Sequence, residues 1–196
     1  MRILGLAVAL SLGASSVPAS AGWAVMADHQ PVAVAKSTLT VTPGSDWNRW
    51  SKRPSKNGEI WTLDGVSLNE LSFLAGISSG ETLYKDRKKK DRPLPKFDAK
   101  MIAPDIVQLF EASNRIILQT SLFEIDKVEP ATLAGHAGVH FTYHYTVQAD
   151  EVRRKGEARA AVIGSKLYLI NFAAPMIHYY DANAPEARAI MDSAKL

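Results

Sequence analysis

The sequence predicts an α+β domain in which an antiparallel β-sheet is covered by helices on both faces. Three observations predict it. From Val139 to Val147 apolar and polar residues alternate strictly: Val139, Phe141, Tyr143, Tyr145 and Val147 fall on one face, and His140, Thr142, His144 and Thr146 on the other. That is the pattern of a half-buried antiparallel strand. Leu167-Tyr168-Leu169-Ile170 and Phe172 are apolar almost without break, so this strand needs cover on both sides. Finally, Pro185 to Ala194 offers Ala187, Ile190, Met191 and Ala194 at i, i+3, i+4 and i+7, a helical face suited to lie on a sheet.

Met1-Arg2 is a positive start, Ile3 to Leu12 an apolar run, and Ala19-Ser20-Ala21 a small-residue cleavage site, so residues 1–21 read as a secretory signal peptide. Ser11, Gly13, Ser15, Ser16 and Pro18 interrupt the run too early for a membrane anchor, which needs about 20 apolar residues. Residues 22–196 are then a single domain, expected in the periplasm or secreted, without a transmembrane anchor. The chain of 196 residues has no Cys, which excludes disulfides and thiolate metal sites and leaves the core alone to hold the fold. Loss of Arg2 with the leader leaves 22 Lys and Arg against 20 Asp and Glu. Six bases and two acids of that total stand between Lys85 and Arg92, so basic character is concentrated in one loop.

Pro31 to Val41 places Val32 and Val34, then Leu39 and Val41, at two-residue spacing, an extended segment ending at Thr42-Pro43-Gly44. Glu59 to Leu63 reads as a short strand leading into Asp64-Gly65. Ser67-Leu68-Asn69-Glu70 has capping-box spacing, and Leu68, Leu71 and Leu74 share a helical face up to Gly76, which predicts a short helix. Ile77 to Ala103 is irregular. A second helix starts at Pro104-Asp105, with Ile106, Leu109, Phe110 and Ser113 on one side. A strand lies within Ile116 to Val128. Glu157 to Ile163 and Lys166 to Ala174 pair through Gly164-Ser165, the two-residue connection of a type II′ hairpin.

Three stretches carry a resemblance. Pro43-x-x-x-Trp47 after the first strand, Glu-Pro-x-x-Leu-x-Gly-x-x-Gly-Val from Glu129 to Val139, and Lys-Leu-Tyr-Leu-Ile from Lys166 to Ile170 before a closing helix resemble PsbP-like domains. The resemblance covers roughly residues 37–196. It implies an antiparallel sheet between helices, an α/β/α sandwich, in a group that includes extrinsic photosystem proteins, a nuclear-transport Ran-binding relative and many exported bacterial proteins of unknown role. It implies no catalytic residue, because the group shares none.

Several residue sets invite a chemical reading, each beside a plainer one. His136, His140 and His144 are spaced by four, but at about 3.3 Å per residue two of them in one strand stand roughly 13 Å apart, too far to share an ion. No metal site is therefore expected. Gly76-Ile77-Ser78-Ser79-Gly80 matches the G-x-S-x-G elbow of serine hydrolases, yet that elbow requires a strand entering and a helix leaving, and here a helix is predicted to enter. Trp47 and Trp50, with Arg49 and Arg53, either close a core edge or form an aromatic-basic rim for a glycan or anionic ligand. Lys85, Arg87, Lys88, Lys89, Lys90 and Arg92 either form a solvated loop or touch an anionic envelope component. No aromatic residue lies between Tyr84 and Phe97 to stack on bases, so nucleic acid is excluded as a partner. Arg153-Arg154-Lys155 reads as a hairpin tip. No phosphate loop, dinucleotide fingerprint or HExxH is present, and no cofactor is expected. The sequence thus favours an exported accessory or ligand-binding domain. A small hydrolase or lyase would have to assemble scattered polar residues such as Asp64, His136 and His178.

Overall fold

A computed structural model of the chain describes residues 22–86, 91–147 and 151–196. The expected leader, residues 1–21, lies outside the described residues. One antiparallel sheet of eight strands runs in the order β1-β4-β5-β6-β10-β9-β8-β7. Its strands are β1 (Trp23–Met26), β4 (Trp47–Trp50), β5 (Gly58–Thr62), β6 (Glu70–Ser78), β7 (Phe123–Leu133), β8 (His136–Thr146), β9 (Arg153–Ile163) and β10 (Lys166–Pro175). β2 (Val32–Ala33) and β3 (Thr40–Val41) form a separate two-stranded ribbon, so the single extended segment expected there is a small hairpin. Thr40 and Lys195 exchange backbone hydrogen bonds and pin that ribbon to the C-terminus. The helices are α1 (Ala103–Leu118) and α2 (Tyr179–Asp192).

The expectation of helices covering both faces is corrected by these elements. Helix amounts to 16 residues in α1 and 14 in α2, against an eight-stranded sheet, so the fold is dominated by sheet. α1 lies against β7 and β8 and α2 against β9 and β10, leaving much of the cover to coil and to the β2–β3 ribbon. On the α2 side Val34, Leu39 and Val41 from the ribbon region pack with Trp61, Phe73, Ile170 and Phe172. On the α1 side Leu83 and Phe97 from the long irregular segment pack with Leu74, Phe110, Phe141 and Leu169. The outer part of the β7–β8 hairpin carries charges and imidazoles and needs no lid.

The helix expected from Ser67 to Gly76 is strand β6. Leu68 and Asn69 donate their N–H groups to Gly65 O, and the Asn69 side-chain oxygen accepts from Thr62 Oγ1 and from the amides of Leu63 and Asp64. This turn hands Glu70 straight into an extended segment paired with β5 and β10. Leu71 and Phe73 then serve the α2-side core and Leu74 the α1-side core, an alternation that a helix cannot produce.

Other expectations hold. Tyr143, Leu167, Leu169 and Phe172 are buried. α1 begins where Pro104-Asp105 suggested, and Asp105 accepts the Ile102 N–H at 3.0 Å. That helix runs on to Leu118, so the following strand starts only at Phe123. α2 starts at Tyr179 and takes Pro185 inside it. Gly164 and Ser165 both have positive φ, 55° and 63°, which makes the β9–β10 connection type I′ and corrects the type II′ expectation. Arg153 to Lys155 belong to β9 and pair with β8, so they are not a hairpin tip.

Candidate functional site

On the α1 side, Glu70 and Ser72 of β6, Asn171 and Ala173 of β10, and Tyr143 and Tyr145 of β8 stand in neighbouring rows, because β10 pairs with β6 and, through β9, lines up with β8. The Tyr143 ring lies over Gly156 of β9, where a Cβ would come within 2.2 Å of the ring Cζ. Tyr143 Oη donates to Asn171 Oδ1 at 2.6 Å, and Asn171 Nδ2 donates to Ser72 Oγ at 3.2 Å. From above, Tyr84 Oη donates to Asn114 Oδ1 at 3.2 Å, and Asn114 Nδ2 donates to Phe110 O at 2.8 Å. A cavity of about 190 Å³ lies between these layers, with Glu70, Tyr84, Tyr143 and Tyr145 in its wall.

The Glu70 carboxyl accepts no hydrogen bond from any described residue. Burial pushes its carboxyl up from 4.5 to about 7, against the pull of the Arg154 guanidinium. Burial also raises the phenols of Tyr84 and Tyr143, which stay neutral in any physiological range. Two further recesses adjoin the cavity at Tyr84. One, of about 400 Å³, is lined by Pro54, Leu94, Ile116 and Ile117 with Lys85 and Arg92 at its rim. The other, of about 620 Å³, lies towards Lys56, Glu81 and Lys96.

The expected site residues scatter. Lys85 and Arg92 line the recess beside Tyr84, whereas Arg87, Lys88, Lys89 and Lys90 lie outside the described residues. Trp47 is wholly buried and aims its Nε1 at Glu186 of α2 at 3.4 Å, where the same carboxylate oxygen accepts the Gly44 N–H and the Ser45 hydroxyl. Trp61 is equally buried, donating to Glu59 at 2.8 Å. Trp50 stacks on Trp23 at 6.0 Å with the Lys52 ammonium over its ring. Arg49 stands beside it in β4, and Arg53 donates Nε to Gly58 O at 2.7 Å.

The elbow motif is entered by a strand, which corrects the expectation of a helix there, but the next described helix begins only at Ala103. Ser79 Oγ accepts the Ala99 N–H at 2.7 Å and serves the loop. Asp64 and His178 lie at one end of the strands, and His136 at the tip of the β7–β8 hairpin marks the other end. The length of β8, roughly 30 Å at about 3.3 Å per residue, separates them. Asp64 is occupied with the Asn69 amide at 2.7 Å. The three do not converge.

His140 and His144 face the α2 side and each has its own carboxylates. His144 meets Asp126 at 2.6 Å, while His140 sits between Glu129 at 2.9 Å and Glu157 at 3.2 Å. Glu157, its side chain wholly buried, also accepts from Arg188 of α2 at 2.9 Å. The bond to Glu157 is the main cause that raises the His140 imidazole. At Glu157 burial pushes the carboxyl up but is outweighed by His140 and Arg188, which hold it below its ordinary value.

Glu70 and Tyr84 escape detection in the sequence because nothing local links them. The one available signal is that Glu70 falls in phase with Ser72 and Leu74 on a strand face that also carries core.

Among the described residues no helix is long and apolar enough to cross a membrane. No family model and no curated sequence matches the chain. Its fold is similar to the solution structure of cyanobacterial PsbP (CyanoP) from Synechocystis sp. PCC 6803, at 16% identity over 95% of this chain and 97% of that one, with a TM-score of 0.52. LpqN of Mycobacterium tuberculosis, involved in cell envelope biogenesis, is similar at 12% identity over 91% and 86% of the two chains, TM-score 0.41. PA94 of Pseudomonas aeruginosa is similar at 14% over 85% and 95%, TM-score 0.44. The cyanobacterial likeness places the chain in the PsbP-like fold group, and at this identity the likeness is one of fold.

Proposed function

We propose that the chain is an exported, non-enzymatic binding domain that engages an anionic envelope component through the concave surface around Tyr84. The observation that carries this reading is the meeting of three concavities at Tyr84, two of them of about 400 and 620 Å³. These volumes lie in the range of about 300 to 1,000 Å³ usual for small-molecule sites, and the lining is mostly apolar with a few charged groups. Lys85 and Arg92 at the rim supply positive charge for an anionic head, and Leu94, Ile116 and Ile117 supply apolar contact. The Trp50, Trp23 and Lys52 cluster at the β1–β4 edge is a separate surface with the same chemistry on a smaller scale. Export would be seen as an N-terminus at Gly22-Trp23 in the secreted or periplasmic protein.

The direct test is retention on anionic vesicles at low salt, comparing the full chain with a Lys85→Ser, Arg92→Ser variant. The variant is expected to be retained less while its thermal midpoint is unchanged, and added salt is expected to release the wild type, because screening extends over about 8 Å at physiological ionic strength. Equal retention of both proteins, or retention indifferent to salt, would overturn the reading.

A further inference from the structure

Two phenols in the wall of the small cavity have their protons placed on amide oxygens. Tyr143 spends its hydroxyl proton on Asn171 Oδ1, and Tyr84 spends its own on Asn114 Oδ1. Glu70 is the one carboxyl in that wall and takes no hydrogen bond from a described residue. An ionised carboxylate in such surroundings is costly, so the acid keeps its proton near neutrality, and a protonated carboxyl is an O–H donor. It then needs an acceptor.

The charges around Glu70 say which acceptor suits it. Arg154 leans on it from β9 while donating to Ser67 O. Tyr84 from the coil and Tyr143 and Tyr145 from β8 are its other titratable neighbours, and burial raises the phenols of Tyr84 and Tyr143 so that both stay neutral. α1 contributes Asn114, Ile117 and Leu118, β10 contributes Asn171 and Ala173, and β5 contributes Ile60, none of them charged. At the adjoining rim stand Lys85 and Arg92, with Asp86 the one acid between them among the lining residues. A cation entering here would pass two bases and stop beside a third. An anion would meet net attraction, three bases against the one acid Asp86.

We propose that the Glu70 cavity is a binding site for small organic carboxylates, the ligand carboxylate accepting a hydrogen bond from the protonated Glu70 carboxyl while its apolar body lies among the tyrosine rings. The proposal rests on reading the surface around Tyr84 as a binding region, but it is tested separately from the vesicle contact. With protonated Glu70 as the required form, affinity falls about tenfold for each pH unit above about 7. Gln at position 70 retains a donor that does not titrate, so Glu70→Gln binds with an affinity that is flat over the same range. Glu70→Leu loses the donor and the binding.

The experiment is calorimetric titration of the full chain with benzoate at pH 6, 7 and 8, using wild type and both variants, with thermal midpoints confirming that each is folded. Benzoate binding that weakens with pH in wild type, stays level in Glu70→Gln and disappears in Glu70→Leu supports the site. No benzoate binding up to about 10 mM at pH 6 overturns it, that concentration corresponding to an interaction weaker than about 3 kcal/mol. Tetramethylammonium binding that strengthens with pH also overturns it, making Glu70 a counter-ion for cations. If Lys85→Ser, Arg92→Ser loses vesicle retention while benzoate still binds with the same pH dependence, both sites stand. If vesicle retention proves absent while benzoate binds, only the rim reading fails.

Discussion

The two faces of the sheet each contain an acid placed among core residues, and they treat it in opposite ways. On the α2 face Glu157 has a wholly buried side chain, yet its pKa is held below the ordinary carboxylate value because Arg188 and His140 both donate to it. On the α1 face Glu70 is less enclosed, since a cavity reaches it, and its pKa rises to about 7. Burial pushes both carboxyls up, so burial alone does not decide the charge. Partners decide it, because a desolvated carboxylate is stable only where donors replace the lost water. The α2 face ties its acid to two basic partners, which suits a structural role; the α1 face leaves an acid without a donor among the described residues beside a cavity, which suits binding.

The largest effect that can break this contrast concerns the core beneath it. Leu169 faces α1 and Ile170 faces α2, both wholly buried in β10. Truncating either to Ala is expected to cost about 2–5 kcal/mol in denaturant unfolding, as for other large-to-small core changes. A cost under about 1 kcal/mol for Leu169→Ala would mean that the α1 face is too loosely packed to hold a defined cavity.

Gly156→Ala acts on the α1 face alone. Its Cβ would stand 2.2 Å from the Tyr143 ring, so the ring has to move and its bond to Asn171 goes with it. The expected cost is about 1–3 kcal/mol, as for overpacking elsewhere, measured by chemical denaturation, together with loss of benzoate binding. A variant as stable as wild type with binding intact would show that Tyr143 does not shape the cavity.

Acid and base dependence sharpens the contrast further. Between 4.5 and about 7 the folded chain holds a proton on Glu70 that the unfolded chain has released, so this group makes stability fall as pH rises through that window. His140 has a raised pKa, principally through Glu157, and its contribution is fully present below about 6.5 and lost as pH rises through the folded value. Glu157 works in the other direction: its contribution is present above 4.5 and is lost as pH falls through its lowered value. The thermal midpoint is therefore expected to decline from pH 5 to pH 8. Glu70→Gln should remove the part of the decline below about 7, and His140→Gln the part above about 6.5. A midpoint that climbs over this interval would reverse the assignment of both groups. The smallest effect is at the rim, where Lys85→Ser and Arg92→Ser should each change stability by less than about 0.5 kcal/mol.

Much of the fold was legible because it is written in local patterns. Strict alternation located β8 and its buried Val139, Phe141 and Tyr143, a Gly-Ser pair located the β9–β10 turn, and Pro104-Asp105 located the start of α1. Trp47, weighed as a core edge or a ligand rim, sits where a core edge would, its indole tied to Glu186. The site was barely legible. Lys85 and Arg92 stood out as charge, but Glu70 read as half of a capping box with Ser67.

The sequence by itself determined which segments carry a period of two, where turns interrupt them and which residues are apolar enough to be core, since these depend on neighbours a few positions apart. Only the tertiary structure decided whether Leu68 to Leu74 would be helix or strand: helical spacing was available locally, but pairing with β5 and β10 offered Leu71 and Leu74 burial on opposite sides. The same non-local pairing brought Glu70 opposite Ala173 and, across β10 and β9, near Tyr143 and Tyr145. A cavity and the pKa of the acid facing it arise from contacts between residues far apart in the chain, and no window of the sequence contains them.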